Sequence, residues 1–291
     1  VPFPQAVPLI YTIDKDNCIE CGLCEKVCGV KAVDHNQEPE EVELEVGAII
    51  MATGYNLFDP RKKEEYGYGI YDNVITGLEL ERLLSASGPT GGHVLRPSDG
   101  KIPKKVAFVQ CVGSRDEKVG NPYCSRVCCM YATKEAELVK EHVPGTETII
   151  FYMDIRAFGK GYEEFYMRAE KEFGIKYIKG RPAEIFEEPA TKNLIIRVVN
   201  IETNEFLEEE VDMVILCAGL VPALTDEMRK ILPLPVDDYG FITTAHPKID
   251  PVSTPLEGVF TAGVAEGPKD IPDTVAQASA AAMKASIVAR G

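Results

Sequence analysis

No run of about 18 apolar residues interrupts the 291-residue sequence, so no membrane span is expected. The opening, Val1-Pro2-Phe3-Pro4, has neither the basic segment nor the apolar core of a secretory leader. It also lacks a starting Met, which predicts a piece of a longer protein. Basic residues are in deficit, 31 against 46 acidic for a formal charge of −15, and such a surface repels phosphate backbones. Nucleic acid is therefore not an expected partner. Histidine is scarce: the four present, His35, His93, His142 and His246, are scattered without metal-ligand spacing and are expected at the surface or in loops. The fingerprint Gly-x-Gly-x-x-Gly occurs nowhere. Gly159-x-Gly161 lacks the third glycine and has no suitable strand before it. An ordinary dinucleotide pyrophosphate site is thus excluded.

Cysteine, by contrast, is plentiful and clustered. Of nine, four lie at Cys18, Cys21, Cys24 and Cys28, four at Cys111, Cys124, Cys128 and Cys129, and Cys217 stands alone. A secreted disulfide scaffold would be short and would spread its cysteines. Two tight groups in a long chain point to metal or redox chemistry in a reducing, anaerobic cytoplasm. Cys18-x-x-Cys21-x-x-Cys24-x-x-x-Cys28 is the ferredoxin run, in which closely spaced thiolates hold corners of a [4Fe–4S] cubane. Gly22 relieves crowding where backbone amides approach the sulfides. Structural zinc, the bland alternative, normally uses two separated Cys pairs. In two-cluster ferredoxins the fourth Cys of such a run serves the other cluster, and the matching second run is missing here. Either it lies upstream in a longer protein, or the cluster is completed in another way.

The pattern along the chain predicts an α/β fold. Residues 1–40 form the cysteine segment. Glu41 to Ala52 reads as a strand buried on both faces, because alternating Val42, Leu44 and Val46 lead into the apolar run 48–52. Residues 76–87 read as a helix, with Thr76 as N-cap and Glu79 at the capping-box position. A Gly- and Pro-rich loop closes this part, 41–103. A Rossmann-like unit spans 104–219: strand 106–109, helix 126–142, strand 148–152, helix 162–173, an antiparallel pair at 193–201 and 205–210, and a closing strand 211–217. The last part, 220–291, offers a strand and turn at 258–263 and an Ala-rich helix over 273–290.

In that Rossmann-like unit, Gln110-Cys111-Val112-Gly113-Ser114-Arg115 occupies the place of the missing glycine fingerprint. Thirteen residues later comes Tyr123-Cys124-Ser125-Arg126-Val127-Cys128-Cys129. At a helix start Cys124 and Cys128 would share one face, Cys129 is adjacent, and Cys111 can reach from the strand end. Four thiolates could converge on a cluster. A redox-active dithiol is the alternative, and buried free thiols the bland reading. Cys217, at the end of a buried strand, is expected simply to pack.

Several of these stretches resemble the A-type subunit of heterodisulfide reductases: 1–8 (Val-Pro-Phe-Pro-Gln-Ala-Val-Pro), 111–116 (Cys-Val-Gly-Ser-Arg-Asp), 123–131, 154–162 (Asp-Ile-Arg-Ala-Phe-Gly-Lys-Gly-Tyr) and 267–273 (Gly-Pro-Lys-Asp-Ile-Pro-Asp). The resemblance runs over nearly the whole chain. It implies a thioredoxin reductase-like, Rossmann-type flavoprotein fold with an N-terminal ferredoxin-type iron–sulfur segment. The cofactors it implies are [4Fe–4S] clusters, one on Cys111, Cys124, Cys128 and Cys129, and FAD. The parts 41–103 and 220–291 become pieces of the FAD domain. Ala52-Thr53-Gly54 resembles the turn leaving that domain. Thr261-Ala262-Gly263, with the helix start at Asp273-Thr274, resembles the terminal FAD motif, in which a helix N-terminus faces the electron-rich flavin edge. Val264 stands where many flavoproteins carry Asp, which removes one ribityl contact. The first flavin half and its Gly-rich fingerprint are absent from the chain.

The implied activity is electron transfer in flavin-based bifurcation between a hydrogenase or formate dehydrogenase-type donor, heterodisulfide and ferredoxin, together with other heterodisulfide reductase subunits. Nicotinamide is not expected as a substrate. Lys134, five residues past Cys129, and Glu81 on the 76–87 helix are expected to pair beside flavin N5 and tune its electron transfer. Two other classes stay open: a pyridine-nucleotide disulfide oxidoreductase using Cys124 and Cys128, and an iron–sulfur relay or scaffold without flavin.

Overall fold

The computed structural model describes residues 11–38 and 40–290. The opening motif at 1–8 lies outside the described residues. The chain divides into two compact units at the Val46–Gly47 junction.

The first unit winds around the ferredoxin run. Asp14 caps a 3-10 turn over Lys15–Asn17 by accepting from the Asp16 amide at 3.1 Å, and Cys18 ends that turn. Gly22, at φ +67°, reverses the backbone into the short helix α1 (Leu23–Val27), which Cys28 closes. A side chain at Gly22 would be strained there, so the glycine belongs to the turn itself. Val42, Leu44 and Val46 stay exposed and are not in a strand. Alternation alone does not make a strand when no neighbour offers backbone partners.

The second unit starts with β1 (Ile49–Met51) and β2 (Tyr55–Leu57), the only strands found in the stretch read as one long strand and its turn. Ile49 and Ile50 are about 40% exposed, because β1 pairs only with a distant strand on one side. Next come β3 (Val74–Thr76) and helix α2 (Gly77–Leu84). The capping box is present: the Thr76 hydroxyl accepts from the Glu79 amide at 3.3 Å, and the Glu79 carboxylate accepts from the Thr76 amide at 2.7 Å.

β4 (Lys105–Val112), α3 (Cys128–His142), β5 (Glu147–Tyr152), α4 (Tyr162–Lys171) and β6 (Lys176–Lys179) follow in strand–helix alternation. A three-stranded antiparallel meander comes next, β7 (Glu184–Glu187), β8 (Leu194–Asn200) and β9 (Glu205–Val211). Then β10 (Met213–Ala218) returns to the centre of the parallel sheet, whose order is β3-β10-β4-β5-β6. One face of this sheet packs on the helices through Val106, Phe108, Ile150 and Ile215 against Leu80, Ala132 and Ala136. The other face packs on the meander, with Val109, Ile149 and Leu216 against Ile185, Leu194 and Ile196. Both faces are thus covered, which explains the continuously apolar strands.

β3 and α2 lie in the part assigned to 41–103, yet they complete the sheet of the Rossmann-like unit. That unit therefore reaches back beyond residue 104. Its edge strand β3 is only three residues long, too short for periodicity to reveal.

β11 (Leu220–Pro222) pairs antiparallel with β2, and α5 (Asp226–Ile231) follows. β12 (Val259–Thr261) pairs parallel with β1, Ile50 opposite Phe260. The last helix, α6 (Ile271–Ala289), packs Ala281 and Ala285 on Phe260 and Ala262. Among the described residues no helix is long and apolar enough to cross a membrane.

Candidate functional site

The ferredoxin run keeps all four thiols free. Two sulfurs already receive backbone N–H donors: Glu20 N to Cys18 Sγ at 3.4 Å and Ala32 N to Cys28 Sγ at 3.2 Å. The Ala32 amide pulls the Cys28 thiol below its ordinary pKa. Amides aimed at sulfur are what a ligating thiolate requires, so this donor set fits an iron–sulfur cluster. His35, read as a loop residue, does lie at a turn, but its Nε2 is 3.4 Å from Cys24 Sγ. Spacing along the chain carries no signal of that approach.

The second cysteine group sits at the carboxyl end of the parallel sheet, where open α/β sheets place their sites. Cys111 belongs to β4 but adopts φ +60°, a left-handed conformation that turns the chain off the strand. Gly113 follows at φ +68°, and a Cβ there would collide with the Phe58 ring. Arg115 and Arg126 are also left-handed, at +54° and +63°. Three non-glycine residues held this way around one site store backbone strain that their surroundings must fix.

Two buried hydroxyls do much of the fixing. Ser114 Oγ donates to Tyr123 O at 3.1 Å and accepts from the Ser125 amide at 3.0 Å. Ser125 Oγ accepts from the Leu220 amide at 2.9 Å. The two cysteine-bearing loops are thereby stapled to each other and to β11. Sequence reasoning misses both serines, because a buried serine carries no pattern.

Helix α3 begins only at Cys128, so Cys124 is not on a helical face with it as expected. Cys124 lies in the preceding loop, where Arg126 N donates to its Sγ at 3.3 Å. The left-handed Arg126 delays the helix by two residues. Cys111, Cys128 and Cys129 are buried and Cys124 is half-buried. Burial first, and then the neighbouring thiols, pushes Cys111 up to about 11, and the same causes raise Cys128 strongly. Cys111 lies near the end of β4, Cys124 lies in the loop before α3, and Cys128 and Cys129 open α3. Among the described residues no three metal-binding side chains close on a single metal-ion position. A cubane, which offers each thiolate its own iron, suits a looser quartet better than one ion does. Cys217 is fully buried, as expected of a packed residue.

Beside this group lies a cleft of about 450 Å³. It is lined by Gly54 and Tyr55 from the β1–β2 turn, Val127 and Tyr131 around the start of α3, and Gly263 and Thr274 at the β12–α6 connection. That volume suits a fused ring system rather than a whole dinucleotide. Between the lining residues Ala52 and Gly54, Thr53 Oγ1 is buried with no hydrogen-bond partner among the described residues. Gly263, at φ +72°, allows the backbone to approach Thr274 within 3.3 Å of where a Cβ would stand. Gly54, Gly263 and Thr274 thus line one cleft.

Asp273 is not among the lining residues. Helix α6 starts two residues earlier than expected, capped by Asp270, and the Asp273 carboxylate is held by Arg126 at 2.7 Å. Lys269, visible in the sequence only as one residue of a motif, lines the cleft. It is buried, and its Nζ donates to Gly263 O at 2.7 Å and to Glu266 at 2.5 Å. Glu81 and Lys134 form the predicted ion pair between α2 and α3. Both are part-exposed and neither lines the cleft, whereas Tyr131, one turn earlier on α3, does.

Residues 11–34 match the 4Fe-4S binding domain family. The A-type iron-sulfur subunit of the CoB–CoM heterodisulfide reductase from Methanocaldococcus jannaschii is 60% identical over 288 residues, covering 99% of this chain and 44% of the relative. The A-type subunit of the H2/formate:CoB-CoM heterodisulfide,ferredoxin reductase from Methanococcus maripaludis is 61% identical over 289 residues, again 99% of this chain and 44% of the relative. The chain thus spans less than half the length of these relatives. Among solved structures, the thioredoxin reductase of Lactococcus lactis aligns with a TM-score of 0.53 at 22% identity, over 83% of this chain and 66% of that one. The thioredoxin reductase of T. acidophilum aligns with a TM-score of 0.50 at 16% identity, over 83% and 64%. The thioredoxin reductase-like fold is therefore borne out, and so is the resemblance to the A-type subunit of heterodisulfide reductases.

Proposed function

We propose that this chain, as a stretch of the A-type subunit of a heterodisulfide reductase, is the electron-transfer part of a cytoplasmic iron–sulfur flavoprotein. One observation carries the reading. Val127 and Tyr131 flank Cys128 and Cys129 in sequence and line the cleft, so a flavin-sized space and two of the four thiols share the start of one helix. In this reading Cys111, Cys124, Cys128 and Cys129 hold one [4Fe–4S] cluster. Cys18, Cys21, Cys24 and Cys28 supply thiolates to ferredoxin-type chemistry. Thr53, Gly54, Gly263 and Thr274 would hold FAD. FAD, when bound, exchanges electrons in pairs or singly, and the clusters exchange them one at a time.

The protein's own contribution is position. The Ser114–Ser125 staple and the left-handed Cys111 fix the two cysteine-bearing loops beside the start of α3. Lys269, tied to Gly263 and Glu266, fixes the turn from which α6 departs. The α6 N-terminus brings partial positive charge to that end of the cleft. Lys134 follows Tyr131 by one helical turn on α3 and pairs with Glu81, and in this reading the pair would tune the flavin.

The complex would take electrons from a hydrogenase or formate dehydrogenase-type donor and divide them between heterodisulfide and ferredoxin, working with the other heterodisulfide reductase subunits. The dithiol alternative is less well served. Cys128 is buried and flanked by two further thiols, while an exchanging thiol must be reached by its partner. Iron, sulfide and flavin counts on the full-length protein test the reading, together with Cys128→Ser. The expected result is FAD in the parent and loss of about one cluster's iron in the variant. Unchanged iron, with a titratable disulfide in the parent, would overturn it.

A further inference from the structure

The helical side of the parallel sheet hides a carboxyl that no cysteine or flavin role uses. Glu135 is 2% exposed, and its Oε2 has no hydrogen-bond partner among the protein's described groups. It projects from α3 against the first turn of α2. A Cβ on Gly77 would stand 3.1 Å from Glu135 Oε2 and 3.0 Å from Tyr131 Cε2. Glu135 and Tyr131 are therefore packed side by side on a glycine that leaves room for both, and Tyr131 lines the cleft.

On the outer side, Glu81 lies four residues after Gly77 on the same face of α2 and pairs with Lys134, the neighbour of Glu135. Glu135 thus follows Lys134 of the part-exposed pair along α3 and shares the space over Gly77 with the Tyr131 ring, whose hydroxyl donates to Ala218 O at 3.3 Å. On the sheet side the titratable neighbour is the buried thiol of Cys217.

Two influences compete for the charge state of Glu135. The α2 N-terminus favours a carboxylate. Removal from water opposes it more strongly. Burial first, then the Glu81 charge, and only partly offset by Lys134, pushes Glu135 up to about 9. The side chain is then a neutral acid at neutral pH, a state that apolar sites elsewhere use to keep a proton available.

We propose that Glu135 is the proton-relay residue of the cleft: it gives its proton toward the Tyr131 wall and is refilled from solvent through Glu81 and Lys134. The proposal rests on the cleft holding a flavin. Two electrons arrive from the donor enzyme of the complex. One proton would leave the Glu135 carboxyl, breaking its O–H bond, and would offset one of the two negative charges that those electrons bring to a bound flavin. The resulting carboxylate then takes one proton from solvent by way of the surface pair.

The test uses the full-length protein in its complex, as parent, Glu135→Gln and Glu135→Asp. Infrared spectra at neutral pH should show a protonated-carboxyl band that Glu135→Gln removes. Rapid-mixing reduction of the flavin should slow at least about tenfold in Glu135→Gln, with a changed pH profile, and recover in part in Glu135→Asp. A parent without that band, or a Gln variant with the parent's rate and pH profile, overturns the relay. Flavin content of the same samples separates the two failures: a parent lacking flavin refutes the functional reading of the cleft, whereas flavin present with unchanged rates refutes only Glu135.

Discussion

Arg126 Nη2 lies 2.7 Å from Asp273 Oδ2, joining the loop of the second cysteine group to the first turn of the last helix. The guanidinium also reaches Pro268 O at 3.4 Å and covers the Phe158 ring at 4.9 Å. One residue thus connects the thiols, through its amide on Cys124, to the helix that closes the cleft.

The two parts of Arg126 can be separated by substitution. The ion pair is part-exposed, so it contributes about 1 kcal/mol at most. The left-handed backbone costs a non-glycine residue about 1–2 kcal/mol. Arg126→Gly should therefore be about 1 kcal/mol more stable than Arg126→Ala in urea unfolding, although both lose the pair. Equal stability of the two variants would show that the left-handed geometry carries no strain.

A second prediction concerns Asp116, which ends the Cys111 loop. Its carboxylate accepts from Lys63 Nζ at 3.0 Å and from Arg181 at 2.5 Å, and both Asp116 and Lys63 are buried. Burial alone would raise its pKa, but Arg181 and Lys63 together bring it down to about 2. A depressed carboxyl stabilises the fold above the unfolded value near 3.9, and that stability is lost as pH falls toward 2. Asp116→Asn should cost about 3 kcal/mol at pH 7, the lower end for a broken buried pair, because Glu65 still holds Lys63 at 2.7 Å. The loss should shrink in acid. A variant equally destabilised at pH 7 and pH 3 would rule out the charge as its cause.

Both cysteine groups are legible in the sequence because cysteine is a rare residue and eight of the nine gather in two short stretches. Thr76 and Glu79 are legible for a similar reason, since the capping box is a local rule. What escapes are features made by contacts distant in sequence. β3 joins its sheet only through β10, far along the chain. Ser114 and Ser125 matter only because Leu220 is brought to them. The strand expected over 41–52 shrinks to β1 because a buried-looking pattern says nothing of whether partners are present. A motif assigns Asp273 to the flavin, and the structure gives its carboxylate to Arg126, a pairing no spacing could reveal.

The last prediction follows the buried carboxyl of Glu135 through equilibrium unfolding rather than through redox chemistry. In the unfolded chain a glutamic acid loses its proton near pH 4.3. In the folded protein, burial holds the Glu135 proton until about pH 9. Between those values the unfolded state binds fewer protons than the folded one, so stability is full below about pH 4.3 and declines as pH rises toward 9. It levels off once both states are ionised. The summed loss is on the order of a few kcal/mol, since relaxation and water entry reduce what a fully desolvated charge would cost. Glu135→Gln cannot ionise and keeps the shape of the neutral acid. Its stability should cross that of the parent as pH rises: similar or slightly lower at pH 5, and higher by at least about 1 kcal/mol at pH 8. Denaturant midpoints for both proteins at pH 5, 6.5, 8 and 9 would measure the slope. Parallel curves across that range would mean that Glu135 ionises as readily in the folded protein as in the unfolded chain, and that its carboxyl is reached by water.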